Sequence, residues 1–124
     1  MNPTLDEFLT WKFPFVSYIE HPDFSDLYVR SSYIHVIMDD EVWRCEPVLQ
    51  IGNIKAKDPG QGAFTAFVEH VVALDRAIYV ECVHNERFQR KLLEMGFVEV
   101  NKDGGALHYL FNFEGRLQKP EPLI

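Results

Sequence analysis

The residues Lys57-Asp58-Pro59-Gly60-Gln61-Gly62-Ala63, followed at once by the apolar run Phe64-Thr65-Ala66-Phe67-Val68, have the makings of an anion site. They read as a strand exit, a glycine-rich turn and a helix start. A helix N-terminus leaves its first N–H groups unpaired and carries about half a positive charge. Gly60 and Gly62 let the main chain approach a ligand without a Cβ clash. A phosphate there would be held by the amides of Gly60, Gln61, Gly62 and Ala63, with Lys55 and Lys57 adding charge. No Lys-Ser/Thr pair follows the glycines, so the turn is not a P-loop. No GxGxxG dinucleotide fingerprint is present either.

Composition narrows what such a turn could serve. The 124 residues suit a single domain, 1–124, with one core. Apolar residues at 47% and aromatics at 14% give a globular chain rather than a disordered one. No apolar run approaches the roughly 18 residues of a membrane span. The acidic start, Met1-Asn2-Pro3-Thr4-Leu5-Asp6-Glu7, lacks the basic and apolar parts of a signal peptide, so a cytoplasmic protein is expected. Cys45 and Cys82 are far apart and form neither a CxxC zinc pattern nor a disulfide scaffold, and read as two half-buried thiols. No metal is expected.

The net charge is −7 and unevenly spread. Residues 1–50 carry nine acids and three bases, whereas 51–124 carry ten acids and nine bases. No basic stripe marks a nucleic-acid surface. The acidic first half favours a cationic partner, if its charge is more than a means to solubility.

The elements that must position the turn follow from local pattern. Thr4 and Glu7 have capping-box spacing, which predicts a short helix from Thr4 to about Lys12, ended by Pro14. Residues 1–26 form a short N-terminal part, with 13–26 as a possible lid and Trp11, Phe13, Phe15 and Tyr18 as core or lid packing. Residues 27–38 are β-rich, and Asp39-Asp40-Glu41 suits a hairpin turn. Residues 42–45 and 48–56 read as two strands, interrupted at Glu46-Pro47 because proline cannot donate to a ladder. Gly52-Asn53 inside the second suggests a bulge. Helical spacing appears over 62–74, strand over 77–83 and helix again over 85–95, with Gly96 as its C-terminal cap. Residues 97–100 and 107–113 form a hairpin across Lys102-Asp103-Gly104-Gly105. The core spans 27–113, and 114–124 is a loose tail. The fold class is α+β, or mixed α/β, with a mostly antiparallel sheet.

The segment Val80-Glu81-Cys82-Val83-His84-Asn85-Glu86-Arg87-Phe88, ending in Leu93-Glu94-Met95-Gly96-Phe97, resembles the last helix of the GNAT family of N-acetyltransferases. That family often shows an Asn opening this helix and a Gly-Phe pair closing it, as Asn85 and Gly96-Phe97 do. Its pyrophosphate loop reads Arg/Gln-x-x-Gly-x-Gly/Ala, which Lys57-x-x-Gly60-x-Gly62 matches except for the Lys. The resemblance covers roughly 27–113 and extends to small GNAT-like proteins found in phages and bacteria. If the chain is phage-encoded, its place would be the host cytoplasm.

The resemblance implies acetyl-CoA as co-substrate, in a V-shaped gap between splayed parallel strands near 48–56 and 77–83. Backbone around Ile54, Lys55 and Ala56 would pair with the pantetheine arm, and the 58–63 turn would hold the pyrophosphate. Asn85 would lie near the pantetheine or the departing thiol. Many members carry a Tyr, as the acid that protonates the thiolate, where this chain has Leu92. The substitutes are Glu81, a carboxylate at the end of its strand that could take the amine proton, and His84, an acid or base near neutral pH. For Glu81 the alternative is a carboxylate paired with Arg or Lys; for His84 it is a solvent-facing loop histidine. Tyr79 and Tyr109 read as core. His35 could reach the acceptor cleft. Cys82 alternates away from Glu81, which would bury it.

The expected activity is transfer of acetyl to a primary amine, on a small molecule or a protein, by a protein that need not be monomeric. The alternatives are a non-catalytic GNAT-like binding or inhibitory module, motivated by Leu92 and the short N-terminal part, and a plain structural α+β domain.

Overall fold

The computed structural model describes residues 2–10, 16–103 and 106–119, with Lys102 and Asp103 described by backbone alone. In chain order the elements are α1 (Leu5–Leu9), β1 (Val16–Tyr18), β2 (Phe24–Met38), β3 (Glu41–Ala56), α2 (Ala63–Ala73), β4 (Ala77–Val83), α3 (Glu86–Glu94), β5 (Val98–Asp103), β6 (Ala106–Phe111) and β7 (Leu117–Gln118). One mixed sheet runs β1-β2-β3-β4-β6-β5, with β7 added beside β3. Only the β3–β4 pair is parallel among the described strands. This is an α+β protein with a mostly antiparallel sheet and flanking helices.

Local chemistry accounts for most boundaries. Thr4 caps α1, its hydroxyl accepting from the Glu7 amide at 3.3 Å and donating to the Glu7 carboxylate at 3.0 Å. The helix ends at Leu9, earlier than the expected Lys12; Lys12 and Pro14 lie outside the described residues. Asp39 and Asp40 both adopt positive φ, and Met38 faces Glu41, so a two-residue turn joins β2 to β3. Asn85 caps α3, accepting from the Phe88 amide at 3.0 Å. The helix ends with Gly96 N–H on Leu93 O and Phe97 N–H on Leu92 O, the paired bonds of a Schellman close.

Several expectations are corrected. The two strands expected on either side of Glu46-Pro47 are one continuous β3. Pro47, after a cis bond, sits where the β2–β3 register shifts between Ser32 and Ile34, so no ladder bond is demanded of it. Part of 13–26, a possible lid, is sheet: Val16–Tyr18 is an edge strand on β2, and β2 itself begins at Phe24. Trp11, Phe13, Phe15 and the Gly104-Gly105 tip lie outside the described residues. The tail, expected loose from 114, is tied down at Leu117–Gln118, which pair with Cys45 and Arg44.

Two cores lie on opposite faces of the sheet. The larger, under the helices, joins Leu5, Phe8, Val29, Leu49, Ile51, Phe67, Val71, Ile78, Val80, Leu92, Phe97 and Tyr109. The smaller joins Val36, Cys45, Val48, Ala77, Tyr79, Val100 and Leu110. Asn101 draws β5 toward β2 beside it: its Oδ1 accepts from Ile37 N at 2.7 Å and its Nδ2 donates to His35 O at 3.0 Å.

The two thiols differ sharply. Cys45 is fully buried, and burial pushes its thiol up to about 11. Cys82 is exposed. Because thiolate is the reactive form, an aromatic disulfide reagent at about pH 8 is expected to titrate one thiol in the native protein and the second only after unfolding. Two rapidly reacting native thiols would contradict this placement.

Candidate functional site

Strands β3 and β4 run side by side for only four residue pairs, Val48–Ala77 through Ile51–Val80. Beyond Ile51 and Val80 they separate, although both strands continue, to Ala56 and Val83. Two bulges accompany the separation. On β3, Tyr28 faces Asn53 while Val29 faces Ile51, so Gly52 is the extra residue. On β4, Val80 faces Tyr109 while Val83 faces Leu107, so Glu81 and Cys82 together oppose His108.

The β4 bulge overturns the expectation for Cys82. In regular alternation Cys82 would turn back to the face that buries Val80. With an extra residue inserted, Val83 takes that buried place, and Cys82, at φ 56°, is exposed. Its backbone N–H donates to His108 Nδ1 at 3.3 Å, and the His108 ring stacks on Tyr79 at 5.8 Å. Tyr79 and Tyr109 are buried, as expected. Burial pushes the Tyr79 phenol above its ordinary range; Glu81 and Cys82 add to this, and a hydrogen bond with Asn101 opposes it. The phenol is therefore protonated at neutral pH.

The gap between the strands is a cavity of about 310 Å³, lined by Gly52, Asn53, Ile54, Glu81, Cys82, His84, Asn85 and Phe88. Ile54, Asn85 and Phe88 also line a larger cleft of about 570 Å³, with Ala56, Pro59, Gly60, Gly62, Ala63, Arg87 and Lys91. The two hollows thus share walls and run from the split strands to the start of α2. Gly62 is the N-cap of α2 at φ 77° and brings no side-chain cap. Among the described residues, none of the amides of Gly60, Gln61, Gly62 and Ala63 donates to a backbone carbonyl. A Cβ at Gly60 or Gly62 would meet nothing within 4 Å, so the turn is open to an approaching group.

The expected residues are distributed as follows. Ile54, Ala56, Gly60, Gly62, Ala63 and Asn85 line the larger cleft. Lys57 and Gln61 instead line a small hollow on another side of the turn, with Asp23 and Ala66, and the Lys57 amide is spent on Asp23 O at 2.9 Å. Lys55 is exposed and lines neither hollow. The cations that do line the cleft are Arg87 and Lys91, four apart on α3, where a helix presents one face. That spacing was a readable signal. His84 is exposed at the mouth of the gap. His35 is not among the lining residues; it sits against Tyr33 on the distal β2–β3 hairpin.

Glu81 lines the gap and is ion-paired, Arg30 Nη2 donating to its Oε1. The structure shows the carboxylate paired with Arg that the sequence offered as the alternative to a base, and places that pair at the gap. Arg30 and Gln50 carried no sequence signal, because their partnership crosses strands. Leu92 is fully buried in the helix-side core, so its position offers the gap no acid.

Gly52 is where Glu81 and Tyr28 converge. A Cβ there would lie 3.1 Å from Tyr28 Cδ1 and 3.2 Å from Glu81 Oε1. Gly52→Val is expected to destabilise by about 1–3 kcal/mol and to displace Glu81. Thermal unfolding measures the first effect; an unchanged melting temperature would contradict the close approach.

No protein-family description, curated protein or solved structure matches this chain.

Proposed function

We propose that this chain is a GNAT-like acetyl-CoA-binding protein that transfers acetyl to a primary amine. The observation that carries the reading is the parallel β3–β4 pair that parts at Gly52 and Glu81, opening a channel that ends at the uncapped start of α2. A long molecule with a phosphate at one end and a thioester at the other suits that shape. The α2 amides and the Arg87 and Lys91 side chains suit the pyrophosphate. The unpaired edges of β3 and β4 suit the amides of the pantetheine arm.

In the reaction an ammonium acceptor gives one proton to Glu81, and the freed amine attacks the thioester carbonyl. Main-chain N–H groups of β3 near Ile54–Ala56 stabilise the oxyanion. The C–N bond forms, the C–S bond breaks, and the second proton leaves nitrogen for the departing thiolate. Asn85 Nδ2, which has no partner among the described residues, and His84 are polar groups lining the gap that suit that proton transfer. No metal or nucleic acid enters the scheme. Among the described residues no helix is long and apolar enough to cross a membrane. A need for acetyl-CoA suits a cytoplasmic protein, in the host's cytoplasm if the chain is phage-encoded.

Titration calorimetry tests the reading: acetyl-CoA is expected to bind, and no heat at millimolar ligand would overturn it. A second reading, a binding or inhibitory module without turnover, is favoured by one observation, the burial of Leu92 where an acid is expected. Acetyl-CoA binding with no acetylation across a broad amine panel would favour it.

A further inference from the structure

Gln50 is the buried polar side chain among the described residues, 8% exposed. Burying an amide is costly unless its hydrogen bonds are made. Val48, on the same face of β3, incurs no such cost. Gln50 makes its bonds to two residues of β2: its Nε2 donates to Ser32 Oγ at 2.8 Å, and its Oε1 accepts from Arg30 Nε at 3.3 Å. Arg30 in turn donates through Nη2 to Glu81. A buried amide thus fixes the guanidinium from behind, and the guanidinium fixes the carboxylate at the split of β3 and β4.

The pair is held but not saturated. Arg30 Nη1 and Glu81 Oε2 have no partner among the described residues. The two side chains are 36% and 24% exposed, so a solute reaches both. Tyr28 supplies an aromatic wall beside Glu81, over Gly52.

We infer that Arg30 and Glu81 form the acceptor site, and that the acceptor is a small zwitterion, a free amino acid or a close analogue. This rests on the acyl-transfer reading above. The ammonium takes the free oxygen of Glu81 while the carboxylate takes the open edge of Arg30. Because the two side chains touch, amine and carboxylate must be separated by only one or two carbons. The site is electrically neutral, so a zwitterion matches it charge for charge, whereas a polyamine would face Arg30 unpaired.

Initial rates at saturating acetyl-CoA test this with free α-amino acids, their α-carboxamides and spermidine. Free amino acids are expected to exceed their carboxamides at least about tenfold in kcat/KM, the scale of one charge-assisted pair. Arg30→Gln is expected to lower the ratio of kcat/KM for the free amino acid over its carboxamide about tenfold, whatever it takes from both acceptors through its hold on Glu81. Equal use of acids and carboxamides, preference for spermidine, or an equal Arg30→Gln effect on both acceptors would overturn the inference. Should Arg30→Gln fail to fold, the wild-type preference alone decides. Should acetyl-CoA give no binding heat, the acyl-transfer reading fails. The site then stands or falls on whether glycine, but not glycinamide, shifts the amide resonances of Gly52 and Glu81.

Discussion

On the acyl-transfer proposal, Glu81→Gln is expected to lower the rate of amine acetylation by about 100-fold or more, while acetyl-CoA affinity is expected to stay within about twofold. The substitution keeps the size of the side chain and an oxygen that can accept from Arg30. It removes the charge and the capacity to take a proton. Gly60, Gly62 and Ala63, with Arg87 and Lys91, the proposed seat of the pyrophosphate, line the neighbouring cleft, whereas Glu81 lines only the gap. Binding and turnover therefore separate. Steady-state rates with calorimetry on the same protein check the split. A variant that turns over at the wild-type rate removes Glu81 from the chemistry. A variant that loses acetyl-CoA as well shows that Glu81 serves the shape of the gap.

Leu92→Ala is expected to cost about 2–5 kcal/mol and to lower the melting temperature by roughly 10 °C. Leu92 is the buried residue of α3; Phe88 and Met95 pack only partly against the core, and the rest of the helix is largely polar. Truncating Leu92 therefore weakens the attachment of the element that carries Asn85, Arg87, Phe88 and Lys91 to the cleft. Acetyl-CoA affinity is expected to fall along with stability. Denaturant unfolding and calorimetry measure the two, and a neutral Leu92→Ala would contradict the burial. Leu92→Tyr does not install an acid at the gap. The position has no solvent access, so the larger side chain is expected to cost about 1–3 kcal/mol by overpacking.

Legibility in the sequence tracked the range of each interaction. Thr4 and Asn85 announced helix starts because a cap bonds its own amide three residues on. The Asp39-Asp40 turn was readable because two residues set the hairpin geometry. The glycine turn and the helical spacing that follows it were likewise local, and so was the strand over Ala77–Val83. The bulge at Gly52 was legible from its residue type. By contrast, Pro47 misled, because its place in a strand depends on a register irregularity opposite β2.

The sequence by itself therefore determined α1, α2 and α3, the order of the strands between and after them, the open turn before α2 and a carboxylate at the end of β4, but not β1, β7 or the continuity of β3. Tertiary structure decided what stands around them. The β4 bulge opposite His108 exposed Cys82, and α3 brought Arg87 and Lys91 to the cleft in place of Lys57. Gln50 and Glu81 met at Arg30 across separations of 20 and 51 residues. Periodicity and capping act within a turn or two of chain. Strand pairing joins distant segments, and a one-residue shift in register turns a side chain to the other face of the sheet.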